Sequence, residues 1–305
     1  MYKYLSSAAS KLGISNARKL AKYSIRLAAS TSKAEPPQNL QRSLMGLSFT
    51  SPLGLAAGFD KHGTLYRSLA PLGFGFAEIG SVIPLPEQQR SLGLDAVVSV
   101  LSKHLRPHAI PLGVSISMNR VTPPERMAND YLICMEKLWG LVDFITLNLG
   151  VRAGPDLHLP EHRATLYTIL AVAKNKQVQM LAKSGRICPI VVKIDRDRGD
   201  TNNLLSCVRD YAFNGLILSG GVHINDKKMT LANLQHASSK MNGNVPIISV
   251  GGIHTPQDVA DRLSAGASLV QLYSGLVEYG PLLPKRINTY LSNLISDDAM
   301  EININ

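Results

Sequence analysis

A single lysine, Lys193, interrupts the otherwise apolar run "IVVKID". Burying an ammonium without a partner costs several kcal/mol, so a lysine inside a hydrophobic strand calls for a functional reason or a counter-ion. Asp195, two residues on, is the candidate counter-ion. Two more stretches could do chemistry. "PIISVGGIHTPQDV" sets Gly251 and Gly252 after an apolar run, with Thr255 able to cap a helix beginning at Pro256. "LVQLYSG" ends in Tyr273, Ser274 and Gly275. Glycines let backbone N–H groups approach phosphate oxygens, and a helix N-terminus adds a favourable dipole. In "LGLAAGFDK", Ala56, Ala57 and Gly58 are small enough for a flat ligand to lie against the backbone, and Asp60 and Lys61 follow. "FITLNLGVRAGP" ends a strand in Asn148, but Leu149, Gly150 and Val151 cannot move a proton.

These residues need a scaffold that brings strand ends together. Short apolar, β-branched runs occur at 53–57, 76–82, 111–116, 142–149, 189–194, 215–219, 246–250 and 269–273. Helix-sized segments such as 123–139, 160–183, 255–265 and 283–295 lie between them. This alternation predicts an α/β fold, a parallel (β/α)8 TIM barrel over residues 46–305, rather than a doubly wound sheet. The glycine loops then follow strands seven and eight, where such barrels recurrently bind phosphate. A flavin would give Lys193 a role, because positive charge near its N1 stabilises the anionic reduced ring.

The first 30 residues read as an amphipathic helical pair broken at Gly13. In the second helix Ala17, Leu20, Ala21, Ser24, Leu27 and Ala28 share one face, and Arg18, Lys22 and Arg26 line another. Two readings are open: a helix packed on the barrel with a solvated basic side, or a helix docked on an anionic membrane surface. Residues 31–45 form a Pro-containing polar linker. Of the net charge of +10, most sits in the first 45 residues, where eight basic residues face only Glu35. The rest is nearly balanced and no nucleic-acid motif occurs, so nucleic acid is not an expected partner. A hydrophobic fraction of 45% and a charged fraction of 18% suit a soluble globular protein. No apolar window approaches ~18 residues, and no secretory signal is evident. Cys134, Cys188 and Cys207 have no metal-ligand or disulfide spacing, so no metal is expected and a reducing compartment is the simplest reading.

With these residues in view, the chain resembles the class 2 dihydroorotate dehydrogenases, the quinone-linked, FMN-containing, membrane-associated branch. The clearest segments are "MGLSFTSPLGLAAGFDKHG", "GFGFAEIGSVIP", "DYLICMEKLWG", "IVVKI" and "PIISVGGIHTPQDVADRLSAGASLVQLYSG". The resemblance implies FMN, bound by Ala57, Gly58, Lys61, Ser81, Ser115, Lys193, Ser219, Gly251, Gly252, Tyr273 and Ser274. Ser81 and Ser219 stand where the family has Thr, and Ser115 where it has Asn. It also implies that residues 1–30 hold the protein on the cytoplasmic face of a membrane and admit quinone, and that pyrimidine biosynthesis is the setting.

The departures fall on the substrate side. The family's catalytic loop Asn-Ile-Ser-Ser-Pro-Asn reads "NLGVRA" here, with Val151 at the position of the base and Ala153 at that of the second Asn. The family's Asn-Arg-Met-Gly-Phe segment has no counterpart, and its Asn-Thr pair after strand six is Gly220-Gly221. Of the substrate contacts, Lys61 and Asn148 remain. No catalytic base is identified; His158 and His162, beyond Arg152, are the candidate replacements. Three readings follow: an FMN oxidoreductase with an altered or lost dihydroorotate site, a non-catalytic flavin- or quinone-binding protein, and a genuine quinone-dependent dihydroorotate dehydrogenase with rearranged loops.

Overall fold

The computed structural model describes residues 14–88, 90–104, 106–150, 157, 159–195, 201–220 and 227–302. Eight parallel strands close on themselves: β3 (Leu53–Leu55), β4 (Phe76–Val82), β5 (Leu112–Ile116), β6 (Phe144–Asn148), β7 (Ile190–Asp195), β8 (Gly215–Ser219), β9 (Ile247–Val250) and β10 (Leu269–Leu272), with β10 pairing back onto β3. Each expected apolar run carries one of these strands, and the (β/α)8 barrel expected from their spacing is the fold. They read as nearly continuous apolar runs because both faces are covered, by helices outside and by side chains inside.

The barrel interior is filled by matching large residues to small ones. Phe76 and Phe144 point inward with Val191, Ile217, Ile248 and Leu269. Gly54 and Gly113 leave room for them: a Cβ on Gly54 would overlap the Phe76 ring, and one on Gly113 the Phe144 ring. A hairpin preceding the barrel, β1 (Arg42–Leu44) and β2 (Leu47–Phe49), plugs one end. Phe49 packs edge-on against Phe76 at 5.5 Å, and Met45 lies under Gly215. Gly75 enters β4 against the Ser51 backbone, where a Cβ would overlap the Ser51 carbonyl. Gly75→Ala is expected to cost about 3 kcal/mol or more, because backbone rather than a side-chain tip must yield; the shift in urea midpoint reads this out.

The helices are α1 (Ile14–Thr31), α2 (Leu94–Leu101), α3 (Met127–Leu138), α4 (Arg163–Ser184), α5 (Thr201–Asp210), α6 (Lys227–Met241), α7 (Pro256–Ser264), α8 (Ser274–Tyr279) and α9 (Leu283–Ile302). The first helix of the expected N-terminal pair lies outside the described residues. In α1 the buried face differs from the expected one. Ala21 and Ile25 are buried against α8 and the turn 66–68, whereas Leu27 is 60% exposed beside Tyr23 at 67%. The stripe therefore runs through Ala21, Ile25 and Ala28, one step around the helix. The basic face turns with it: Arg18 lies 5.5 Å over the Tyr273 ring, and Arg26 donates to the Thr64 carbonyl at 3.2 Å. The segment after α1 is tied to the barrel. Ala34 N donates to Pro71 O at 3.0 Å, Leu40 is buried, and Asn39 and Ser292 exchange hydrogen bonds of 3.1 and 3.0 Å.

Candidate active site

The chemistry-bearing residues gather at the C-terminal ends of the barrel strands. Strand register sets Gly80 beside Ser115, Asn148 beside Lys193, and Asp195 beside Ser219. The Asn148 amide donates to Ser81 Oγ at 2.8 Å, and Ser81 Oγ lies 3.3 Å from Ser115 Oγ. Asn148 Oδ1 accepts from Gly150 N at 3.2 Å. Three residues proposed separately from the sequence are thus one hydrogen-bonded chain. Its anchor, Tyr131 on α3, was not among them. The buried Tyr131 hydroxyl donates to the Asn148 carbonyl at 2.9 Å, and burial pushes this phenol far above its ordinary value.

Lys193 is partly exposed and has no hydrogen-bond or ion-pair partner among the described residues. The expected counter-ion, Asp195, does not pair with it: the carboxylate lies against Gly150, where a Cβ would stand 2.9 Å from Oδ2. Deeper in the barrel Gln271 donates to Glu78 at 2.6 Å, both fully enclosed. Each residue is a lone polar side chain in an apolar strand, the same signal that marked Lys193, and the sequence reading passed over both.

At the mouth, Gly58 takes φ +90° and donates to the Gly80 carbonyl at 2.6 Å. Asp60 is fully buried and faces its own loop, accepting from the amides of Thr64, Leu65 and Tyr66 at 3.0, 2.8 and 3.1 Å. Lys61 donates to the Arg90 carbonyl at 3.0 Å. Burial holds the Lys61 ammonium below its ordinary range, and Arg18, Lys22 and Arg90 add to the effect. Lys22 is lowered chiefly by burial as well. Arg90 pairs with Glu87 at 2.8 Å and donates to Ser117 at 3.1 Å. The mouth under α1 is therefore crowded with positive charge.

The expected phosphate end lies between β9 and α8. Gly251 and Gly252 take φ +104° and +63°, and a Cβ on Gly251 would stand 2.5 Å from the Gly220 carbonyl. Buried Arg262 ties this loop down, donating to Ser249 Oγ at 2.7 Å and to the Gly251 carbonyl at 2.6 Å. Thr255 caps α7 in a reciprocal box with Asp258, and Pro256 occupies the first turn, as the sequence suggested. Ser274 Oγ lies 3.2 Å from His254 Nε2, and His254 Nδ1 2.9 Å from Glu278 Oε2. Neither His254 nor Glu278 was singled out from the sequence. Val151, Arg152, Ala153, His158 and Gly221 lie outside the described residues. His162 is partly exposed on the turn Pro160–His162 that leads into α4.

A closed eight-stranded parallel barrel with glycine loops after its last two strands and polar residues at the strand ends defines a (β/α)8 protein. The sequence profile of dihydroorotate dehydrogenase matches residues 89–295. Dihydroorotate dehydrogenase (quinone) of Methylobacillus flagellatus is 33% identical over 290 residues, covering 81% of this chain and 86% of that protein. The protein of the same name from Chloroflexus aurantiacus is 33% identical over 296 residues, covering 82% and 81%. Ligand-free DHODH from Eimeria tenella superposes with a TM-score of 0.78 at 24% identity, over 92% of this chain and 95% of that one, a likeness of fold. The chain belongs to the dihydroorotate dehydrogenase family of oxidoreductases. Membership implies a flavin. The residues present suit one: glycines whose Cβ positions are blocked or left-handed, small residues at the β3 end, and a lysine with no partner among the described residues.

Proposed function

We propose that the chain is an FMN-binding oxidoreductase of the quinone-linked branch whose dihydroorotate site is altered. The observation that carries this reading is the contrast at neighbouring strand ends. Lys193 is kept beside Asn148, while the sequence after Asn148 carries Val151 where the family has its base. Bound FMN would supply hydride acceptance from a substrate and electron transfer to a quinone. Lys193 would sit against the ring and stabilise negative charge on it. Ala57, Gly58, Lys61, Ser81, Ser115 and Ser219 would hold ring and ribityl chain, and Gly251, Gly252, Tyr273 and Ser274 the phosphate end. Asn148, oriented by Tyr131 and Ser81, would present an amide to the substrate. Its sharing with Ser81 leaves fewer free donors for a polar substrate.

The protein is expected to purify yellow, with the absorbance of a flavin that is released on denaturation and identified as FMN rather than FAD. A colourless protein that does not take up added FMN rejects the reading. A second reading, a non-catalytic flavin- or quinone-binding protein, is favoured by the same missing base. It predicts that no metabolite reduces the bound flavin while dithionite does.

Peripheral membrane contact through residues 1–30, on the cytoplasmic face, belongs to this proposal. No described helix is long and apolar enough to cross a membrane. Because Arg18 and Arg26 engage the barrel, contact through α1 would use its outward apolar pair, Tyr23 and Leu27, one turn apart. Replacing both with Glu is expected to lower binding to anionic vesicles several-fold in flotation assays without changing the melting temperature. Unchanged flotation would exclude α1 as the contact.

A further inference from the structure

His254 and Glu278 have no part in the reading above, yet they are joined to a residue that does. His254 lies in the loop between β9 and α7, and Glu278 on α8. The imidazole is engaged at both nitrogens, Nδ1 to Glu278 Oε2 at 2.9 Å and Nε2 to Ser274 Oγ at 3.2 Å. An ionised carboxylate only accepts, so Nδ1 carries a hydrogen. The state of Nε2 then decides which way the Ser274 hydroxyl points. In the neutral ring Nε2 accepts, the Ser274 O–H turns toward it, and the serine offers only lone pairs outward. In the imidazolium Nε2–H donates to Ser274 Oγ, and the hydroxyl hydrogen is free to point outward. Only the second arrangement makes Ser274 a donor toward an anion.

We propose that the His254–Glu278 pair is the phosphate-specificity element of the flavin site, taking up one proton when a phosphate monoester binds and thereby turning Ser274 into a hydrogen-bond donor toward it. The inference rests on the FMN reading. The proton comes from solvent and returns there on release. A phosphate dianion bound beside Ser274 would set the ring between two anions, with Glu278 on its other side. The other groups around His254 do not cancel this. Asp258 on α7 accepts the His254 amide at 2.9 Å and is paired with Lys227 on α6. Burial alone would raise Asp258, but Lys227 and the amides of His254 and Thr255 outweigh it and hold the carboxyl below its ordinary value. Tyr279 packs edge-on against the imidazole at 6.2 Å, and the Glu278 carboxylate beside it raises the phenol, so it stays neutral. Arg262, the nearby cation under the loop, is committed to Ser249 and the Gly251 carbonyl.

Riboflavin, which lacks the phosphate, separates this inference from the reading beneath it. Protein stripped of flavin is titrated with FMN and with riboflavin by fluorescence quenching, and by calorimetry in buffers of different ionisation enthalpy. Work above about pH 7 keeps the phosphate monoester largely dianionic. Wild type is expected to take up a proton with FMN and none with riboflavin, and its FMN affinity is expected to fall as pH rises to about 9. His254→Gln is expected to weaken FMN roughly ten-fold or more, abolish proton uptake, and leave riboflavin unchanged. Should His254→Gln also lose riboflavin, its fold is damaged, and Glu278→Gln, which alters only an exposed carboxylate, carries the same test with a smaller loss expected. FMN binding at wild-type strength in the folded variant, or equal proton uptake with both flavins, overturns the proposal alone. A wild-type protein that binds neither flavin overturns the FMN reading and this inference together.

Discussion

Dihydroorotate is expected to bleach the bound flavin slowly or not at all under anaerobic mixing, while dithionite reduces it fully. Oxidation of dihydroorotate removes a proton from one carbon as hydride leaves its neighbour, so a base must be in reach. A positioned base contributes about 10²–10⁴-fold, and the proposed reading puts Val151 where the family has it. Binding is expected to suffer as well, since each lost amide or hydroxyl contact to a polar substrate is worth about 1 kcal/mol. Asn148, one of the two substrate contacts that the proposed reading retains, already spends a donor on Ser81. Val151→Ser alone is therefore expected to leave the rate unchanged within a few-fold. On the proposed reading it restores a hydroxyl without the Asn-Arg-Met-Gly-Phe segment or the pair replaced by Gly220-Gly221. Rapid bleaching of the unaltered protein in a stopped-flow spectrum would mean that another group, His158 or His162 among them, moves the proton.

The largest stability effect is expected at Asp60. Its carboxylate is fully buried and receives three backbone amides of the turn that follows. Charge-assisted hydrogen bonds contribute about 1.5–3 kcal/mol each, and donors left buried without an acceptor add their own penalty. Asp60→Ala should thus lower unfolding free energy by about 3–5 kcal/mol, an estimate discounted for partial relaxation of the turn. Asp60→Asn should fall between, because an amide keeps one acceptor oxygen and gains donors with nothing to receive them. The same turn carries Lys61 and borders Gly58, so loss of bound flavin is expected to accompany the loss of stability. A denaturation midpoint within experimental error of wild type would show that the three amides find water instead.

The barrel was legible because its strands are short, buried on both faces and separated by helix-length segments, a pattern that depends on local sequence alone. Lys193 and the glycine pairs were legible for a related reason: each breaks a strong local preference. Residues whose role depends on distant partners were not. Tyr131 reads as an ordinary apolar position of an amphipathic helix, and its hydroxyl finds Asn148 only once α3 docks beside β6. Arg262 reads as a surface residue of a helix, yet it is buried under the Gly251 loop. His254 and Glu278 belong to different elements, and nothing local pairs them. On α1 the apolar residues spread around the helix, so periodicity could not choose between Leu27 and Ile25; the surface of α8 made that choice. That choice also turned Arg18 toward Tyr273.

Closure of the barrel has a consequence for synthesis. The first barrel strand, β3, finds one of its two neighbours in β10, at the other end of the barrel sequence. During translation the growing sheet therefore carries two open edges until residues 269–272 have left the ribosome. Contacts this far apart close slowly, and a chain stalled before them would display unpaired strand edges flanked by apolar faces. Truncation even a few residues short of β10 would accordingly be met as a chaperone client and an aggregation hazard, not as a slightly smaller barrel.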